Sequence, residues 1–142
     1  MARKTLSTQR DLQAPPARVW EVLTDLAAYP TWNPFITEAA GELRVGGRLA
    51  IVAGGMRFRP VVLRFDPARE LRWRGRLVVP GLFDGEHVFR LAPLDGGRAT
   101  RLTHEEHFSG LLVGPFSRKL DEETLPGFEA MNRALAARVG ER

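Results

Sequence analysis

The order of patterns along the 142 residues predicts an α+β domain: a curved, seven-stranded antiparallel sheet whose apolar face is covered by a long C-terminal helix. Three observations carry that reading. A strand-length run followed by a short amphipathic helix opens the chain. A period-two alternation, cut by glycine and proline turn signals, fills the stretch from Phe35 to Ser109. Helical spacing of apolar residues then returns from Phe116 to Val139. The length supports one domain, residues 1–142, and is too short for an eightfold β/α barrel, which takes about 250 residues.

Each element has its own justification. Thr5 to Leu12 alternates apolar and polar residues and reads as the first strand. Pro15 and Pro16 open the first helix, where a missing backbone N–H costs nothing, and Val19, Trp20, Val22, Leu23 and Leu26 give it an apolar face. In Tyr29-Pro30-Thr31-Trp32-Asn33-Pro34, two prolines four apart forbid a long helix, leaving an aromatic corner or a second, one-turn helix. Gly46-Gly47, Gly54-Gly55, Asp66-Pro67, Pro80-Gly81 and Asp95-Gly96-Gly97 then separate six runs, at about 36–43, 47–53, 57–66, 69–79, 84–94 and 98–109. Such close spacing makes them hairpin-joined neighbours. In the tail, Phe116, Leu120, Phe128, Met131, Leu135 and Val139 share one side, and Pro126-Gly127 predicts a kink or break near Thr124.

Composition removes several classes of chemistry. With no Cys there are no disulfides, no thiolate zinc site and no Cys nucleophile. The two lysines, Lys4 and Lys119, belong to no phosphate-loop motif, and none of Ser7, Ser109 and Ser117 sits in a hydrolase nucleophile elbow. No cofactor is called for. The longest stretch without a charge, Leu26 to Thr37, contains two prolines and an asparagine, so no membrane span or export signal is expected. A soluble, cytoplasmic protein is the expectation. The 21 basic residues comprise 19 Arg and two Lys spread from one end to the other, so the sequence pI of 10.6 reflects arginine more than the net charge of +4.

Strand parity shows where polar groups point. In the run 69–79, Leu71, Trp73 and Leu77 share one face, and Arg72, Arg74 and Arg76 share the other. The arginine row reads first as a solvated outer face with no nucleic-acid partner; the alternative is a surface for a polyanion or an acidic protein. A two-residue turn at Gly96-Gly97 sets a register in which Leu91 faces Leu102, Phe89 faces His104 and His87 faces Glu106. All of these lie on the apolar, inner face. His87, His104 and Glu106 therefore form either a satisfied internal pair or a polar cluster in a cavity, able to orient a ligand or move a proton. His104 and His107 are three apart on a strand and point to opposite sides, so no metal site is expected from them.

Four stretches carry a family resemblance. Ala14 to Asp25 resembles the first helix of the SRPBCC superfamily, which includes START, polyketide cyclase/dehydrase and birch-pollen-allergen-like proteins. Tyr29-Pro30-Thr31-Trp32-Asn33-Pro34 is similar to its Y/F-P-x-W-N-P corner. Thr100 to Gly110 resembles its final strand, and Gly127 to Asn132 its last helix. The resemblance implies the helix-grip fold, with a mostly apolar cavity between sheet and helix for lipids, polyketides or other hydrophobic small molecules. It carries over no catalytic residue.

Parity then nominates the cavity walls: Trp32 and Phe35 from the corner, Leu63 and Phe65, then Trp73 and Leu77, from successive strands. Phe89, His104, Glu106 and Phe108 come from the last two strands, and Phe128, Met131 and Leu135 from the helix. Pro80 to Gly85 reads as a mobile lip at the mouth, with Phe83 either exposed on it or tucked inward. The leading expectation is a binding protein for a hydrophobic small molecule. The alternatives are a polyketide cyclase or dehydratase using His87, His104 and Glu106 as acid and base, and an interaction module with a basic sheet face. Oligomeric state stays open.

Overall fold

The antiparallel meander forms, but as eight strands in two sheets rather than seven in one. The structure is a computed structural model and describes residues 2–76 and 79–140. In chain order it contains β1 (Arg3–Leu12), α1 (Pro16–Thr24), a 3-10 turn (Leu26–Ala28), α2 (Tyr29–Trp32), β2 (Ile36–Gly41), β3 (Leu49–Ala53), β4 (Met56–Phe58), β5 (Val61–Asp66), β6 (Glu70–Arg76), β7 (Asp84–Leu94) and β8 (Ala99–Ser109). The tail is α3 (Val113–Lys119), a π-helical segment (Leu120–Thr124) and α4 (Leu125–Gly140). The large sheet runs β1-β8-β7-β6-β5 and the small one β2-β3-β4.

The extra strand arises at Pro60. A proline cannot donate to a ladder, so the expected run 57–66 divides into β4, which pairs with β3, and β5, which pairs with β6. The sheets stay connected through a bridge between Arg48 and Val61 and through Val62 N–H donating to the Gly47 carbonyl at 2.9 Å. A bulge follows immediately. Val62 pairs with Trp73 and Arg64 with Arg72, so Leu63 is the unpaired extra residue. The inward positions of β5 are consequently Val62 and Phe65, which corrects the placement of Leu63 by simple alternation. Leu77, expected on the inner face of β6, lies outside the described residues.

The β7–β8 register is the one set by the turn. Gly96 and Gly97 sit at φ of 64° and 89°, and Arg98 N–H donates to the Asp95 carbonyl at 3.2 Å. Leu91 pairs with Leu102, Phe89 with His104 and His87 with Glu106. On the outer face the arginine row meets carboxylates from neighbouring strands: Arg72 lies 3.2 Å from Glu70 and 3.8 Å from Glu86, and Arg76 lies 3.9 Å from Asp84. Glu70 is also flanked by Arg64 and Arg90, which leaves its carboxylate 9% exposed.

The tail bends without breaking. Leu125 N–H donates to the Leu120 carbonyl, the wider i to i+5 bond of a π turn, and α4 then runs uninterrupted through Pro126. Pro126 is the second residue of α4 and directly follows the π-helical segment, so the expected break becomes a local widening of the helix just upstream of the proline. Phe128, Met131, Leu135 and Val139 form the buried stripe of α4 and pack on the large sheet and on α1. Asn132 interrupts that stripe. No helix among the described residues is long and apolar enough to cross a membrane.

Candidate ligand cavity

A cavity of about 310 Å³ opens between the inner face of the large sheet, the small sheet and the π-helical bend. Its placement begins with Asn33, buried at 4%, whose Oδ1 accepts from the N–H groups of Phe35 and Ile36 at 2.9 and 2.8 Å. That turn aims the Phe35 ring across the interior, edge-on to Phe128 at 5.3 Å. The ring is seated over Gly127 of α4, where any Cβ would meet it. Trp73 forms one wall, Phe108 another, and Ile51 and Phe58 of the small sheet close the far side.

The stretch Pro80 to Gly85, expected as a mobile lip, is tied to the start of the tail by backbone hydrogen bonds. Leu111 and Leu112 donate to the carbonyls of Gly81 and Leu82 at 3.1 and 3.0 Å. Phe83 turns inward and stacks on Phe108, with centroids 5.4 Å apart and planes 9° apart. Exposed Phe116, Lys119 and Glu123 stand at the rim.

The polar part of the wall is Glu106 with His87. Glu106 Oε1 lies 3.2 Å from His87 Nδ1, and its other oxygen lies over Gly85, in space that a Cβ there would occupy. Behind this pair a buried chain runs away from the cavity. His87 Nε2 meets His104 Nε2 at 2.7 Å, His104 Nδ1 meets Asn132 Oδ1 at 2.7 Å, and Asn132 Nδ2 donates to Thr8 Oγ1 at 2.8 Å. Thr8 in turn donates to the His104 backbone carbonyl at 2.8 Å. Aromatic rings box in the imidazoles: His87 lies 5.2 Å from Trp73, and His104 stacks on Phe128 at 4.3 Å. Burial holds the His104 pKa well below 6.5; the neighbouring His87 acts in the same direction, and the bond to Asn132 opposes both.

Of the residues nominated from sequence, Phe35, Trp73, His87, Glu106 and Phe108 reach the cavity surface. His104 stands one layer behind, wholly buried, as do Phe89 and Phe128. Met131 and Leu135 pack into the main core, and Phe65 packs on Trp20 at 5.3 Å. Trp32 lines a different, charged cleft of about 260 Å³ beside Arg18, Glu21 and Arg138. Leu63 is displaced by the bulge. His104 and His107 do face opposite ways, His107 pairing outside with Glu105 at 3.3 Å. The wall residues from β3 and β4 were missed because the second sheet was missed; Pro60 was the signal for it. Asn132 was legible as a polar residue inside the apolar stripe of α4, and Gly85 as a glycine inside a strand, which often marks a close approach.

An α+β scaffold whose antiparallel strands wrap a long terminal helix defines the helix-grip class of fold. Within that class, residues 3–140 match the model of the polyketide cyclase/dehydrase and lipid transport family, and the chain belongs to it. Among solved structures, it is similar to a START superfamily protein from Mycobacterium smegmatis, at 24% identity and a TM-score of 0.73 over 96% of this chain and 97% of that one. It is also similar to the Zhui aromatase/cyclase from Streptomyces sp. R1128, at 20% identity and 0.73 over 98% and 94%. A hypothetical protein from Helicobacter pylori superposes with a TM-score of 0.81 at 18% identity, over 96% and 88%. At these identities the structural likenesses establish the fold alone. No curated protein matches the chain.

Proposed function

We propose that this protein binds a hydrophobic small molecule in the cavity, with the apolar body against Trp73, Phe35 and Phe108 and a polar end at Glu106. The observation that carries this reading is the combination of apolar walls with a polar station backed by buried partners. That is the composition a ligand site needs: hydrophobic surface for affinity and a few fixed polar groups for orientation. A volume of about 310 Å³ suits a one- or two-ring molecule or a short acyl chain better than a long-chain lipid.

Mass spectrometry of natively purified protein, set against the same sample denatured and extracted, tests the proposal. An apolar compound bound at one per chain and released unchanged supports it. Absence of any bound compound, together with no response to a panel of small aromatic probes, overturns it.

A second reading, a cyclase or dehydratase, is favoured by the chain behind Glu106. A carrier needs a hydrogen bond at that wall; it does not need two imidazoles, an amide and a hydroxyl in series. In this reading Glu106 and His87 exchange a proton with the ligand, while His104, Asn132 and Thr8 hold His87 in place. Recovery of a chemically altered compound after incubation separates the enzyme from the carrier.

A further inference from the structure

The hydrogen bonds behind the cavity can run in one direction only. A backbone carbonyl cannot donate, so the Thr8 hydroxyl spends its single hydrogen on the His104 carbonyl, and its oxygen must accept from Asn132. That fixes the amide: Nδ2 faces Thr8, and Oδ1 faces His104. An amide oxygen cannot donate either, so His104 carries its hydrogen on Nδ1. Wholly buried and neutral, His104 presents a bare Nε2, and His87 must donate to it from its own Nε2 across 2.7 Å. His87 Nδ1 and Glu106 Oε1 then face each other 3.2 Å apart. A hydrogen held on either of these two atoms leaves Glu106 Oε2 free to accept. Among the described residues Oε2 has no hydrogen-bond partner.

We infer that Glu106 offers the cavity a hydrogen-bond acceptor and no donor, so the site selects compact apolar molecules carrying a hydroxyl (a phenol, enol or alcohol) over their ethers and over carboxylates. The inference rests on the binding role proposed above and names its ligand class. A carboxylate would set an anion against an acceptor. The rim does not compensate, because Lys119 is accompanied there by Glu123 and Asp84. An ether fits the same apolar walls and leaves Oε2 desolvated without a partner.

Three probes with one ring frame test this: 2-naphthol, 2-methoxynaphthalene and 2-naphthoate at neutral pH, titrated calorimetrically into the full chain. The expected result is that the naphthol binds at least about tenfold more tightly than either of the others, a difference of about 1.4 kcal/mol or more. Glu106→Leu should erase the preference while leaving the ether bound. Equal affinity of naphthol and ether, or tighter binding of the naphthoate, overturns the inference but leaves the cavity reading intact. If none of the three binds, the cavity reading fails and this inference falls with it. The tautomers are read independently of any ligand. Long-range ¹⁵N–¹H spectra of the free protein should show His104 protonated at Nδ1, and His104 protonated at Nε2 alone would overturn the derivation.

Discussion

Gly85 is where a single atom decides the chemistry of the wall. It sits on β7 opposite Phe108, and its missing side chain makes room for the Glu106 carboxylate. Gly85→Ala puts a methyl where Oε2 lies, and the carboxylate, as the flexible end of its side chain, must move. The fold should survive with a loss of about 1–2 kcal/mol, the usual scale for overpacking. The His87–Glu106 contact should not survive. Denaturant titration and the His87 ring ¹⁵N shifts check the two halves separately; an unshifted His87 would mean the glycine has no such role. His104 supplies a pH dependence. Its folded-state pKa lies well below 6.5 because of burial and then of His87, so below about pH 6.5 the unfolded chain takes up a proton that the folded chain refuses. Stability is unaffected by this group above that pH and falls as pH drops, by about 1.4 kcal/mol per unit. Glu105, held low by Ser7 and Arg90 against the opposing effect of burial, loses its contribution only below 4.5. The window between about pH 5 and 6.5 therefore lies above the range in which Glu105 contributes, and comparison with a His104 variant separates this group from the other histidines. Urea titrations across it should give a steeper fall for the wild type than for His104→Gln, and equal slopes would refute the assignment.

At the scale of elements, sequence reasoning succeeded where one local signal set a long consequence. The Gly96-Gly97 turn alone fixes the β7–β8 register, and with it the pairing of His87 and Glu106 across 19 positions of chain. Alternation carried Trp73 and Phe108 to the cavity because β6 and β8 are regular. It failed in β5, where the bulge at Leu63 shifts parity by one residue and leaves no mark in composition. In α4 helical spacing reports burial but not depth: Met131 and Leu135 lie in the main core, and Phe128 lies in the smaller cluster behind Phe35 and Phe108. The junction of the corner with α4 offers a test of element packing. Gly127 costs α4 about 1 kcal/mol of helix propensity relative to Ala, a penalty consistent with the space that the Phe35 ring requires. Gly127→Ala should destabilise the wild type by about 1–3 kcal/mol through overpacking. In a Phe35→Ala background the same change should be neutral or stabilising by up to about 1 kcal/mol. A double-mutant cycle by chemical denaturation reads the sign change directly, and its absence would show that ring and glycine do not share the space.

For the whole molecule, the question is why a protein of this size leaves a void at all. An unfilled apolar-walled cavity is unfavourable, on the order of 24 cal/mol per Å³ in core-truncation experiments. The two sheets are joined by backbone hydrogen bonds at Gly46, Gly47 and Pro60 instead of forming one continuous ladder, and the π-helical segment from Leu120 interrupts the tail beside the cavity. Both features cost local regularity in a chain otherwise built of ordinary hairpins and helices. If the opening were a packing accident, filling it would improve the protein without consequence. If it is a binding site, stability and function should trade against each other. Ala53 of β3 tests this, since it is half-buried and lines the cavity. Ala53→Leu should raise stability by about 1 kcal/mol through newly buried apolar surface. It should also weaken naphthol binding by about tenfold or more by occupying the space that the ring needs. Thermal denaturation and calorimetric titration of the same sample measure both terms. A variant that is more stable and still binds unchanged would place the ligand elsewhere. One that is less stable would mean that the walls near β3 already meet.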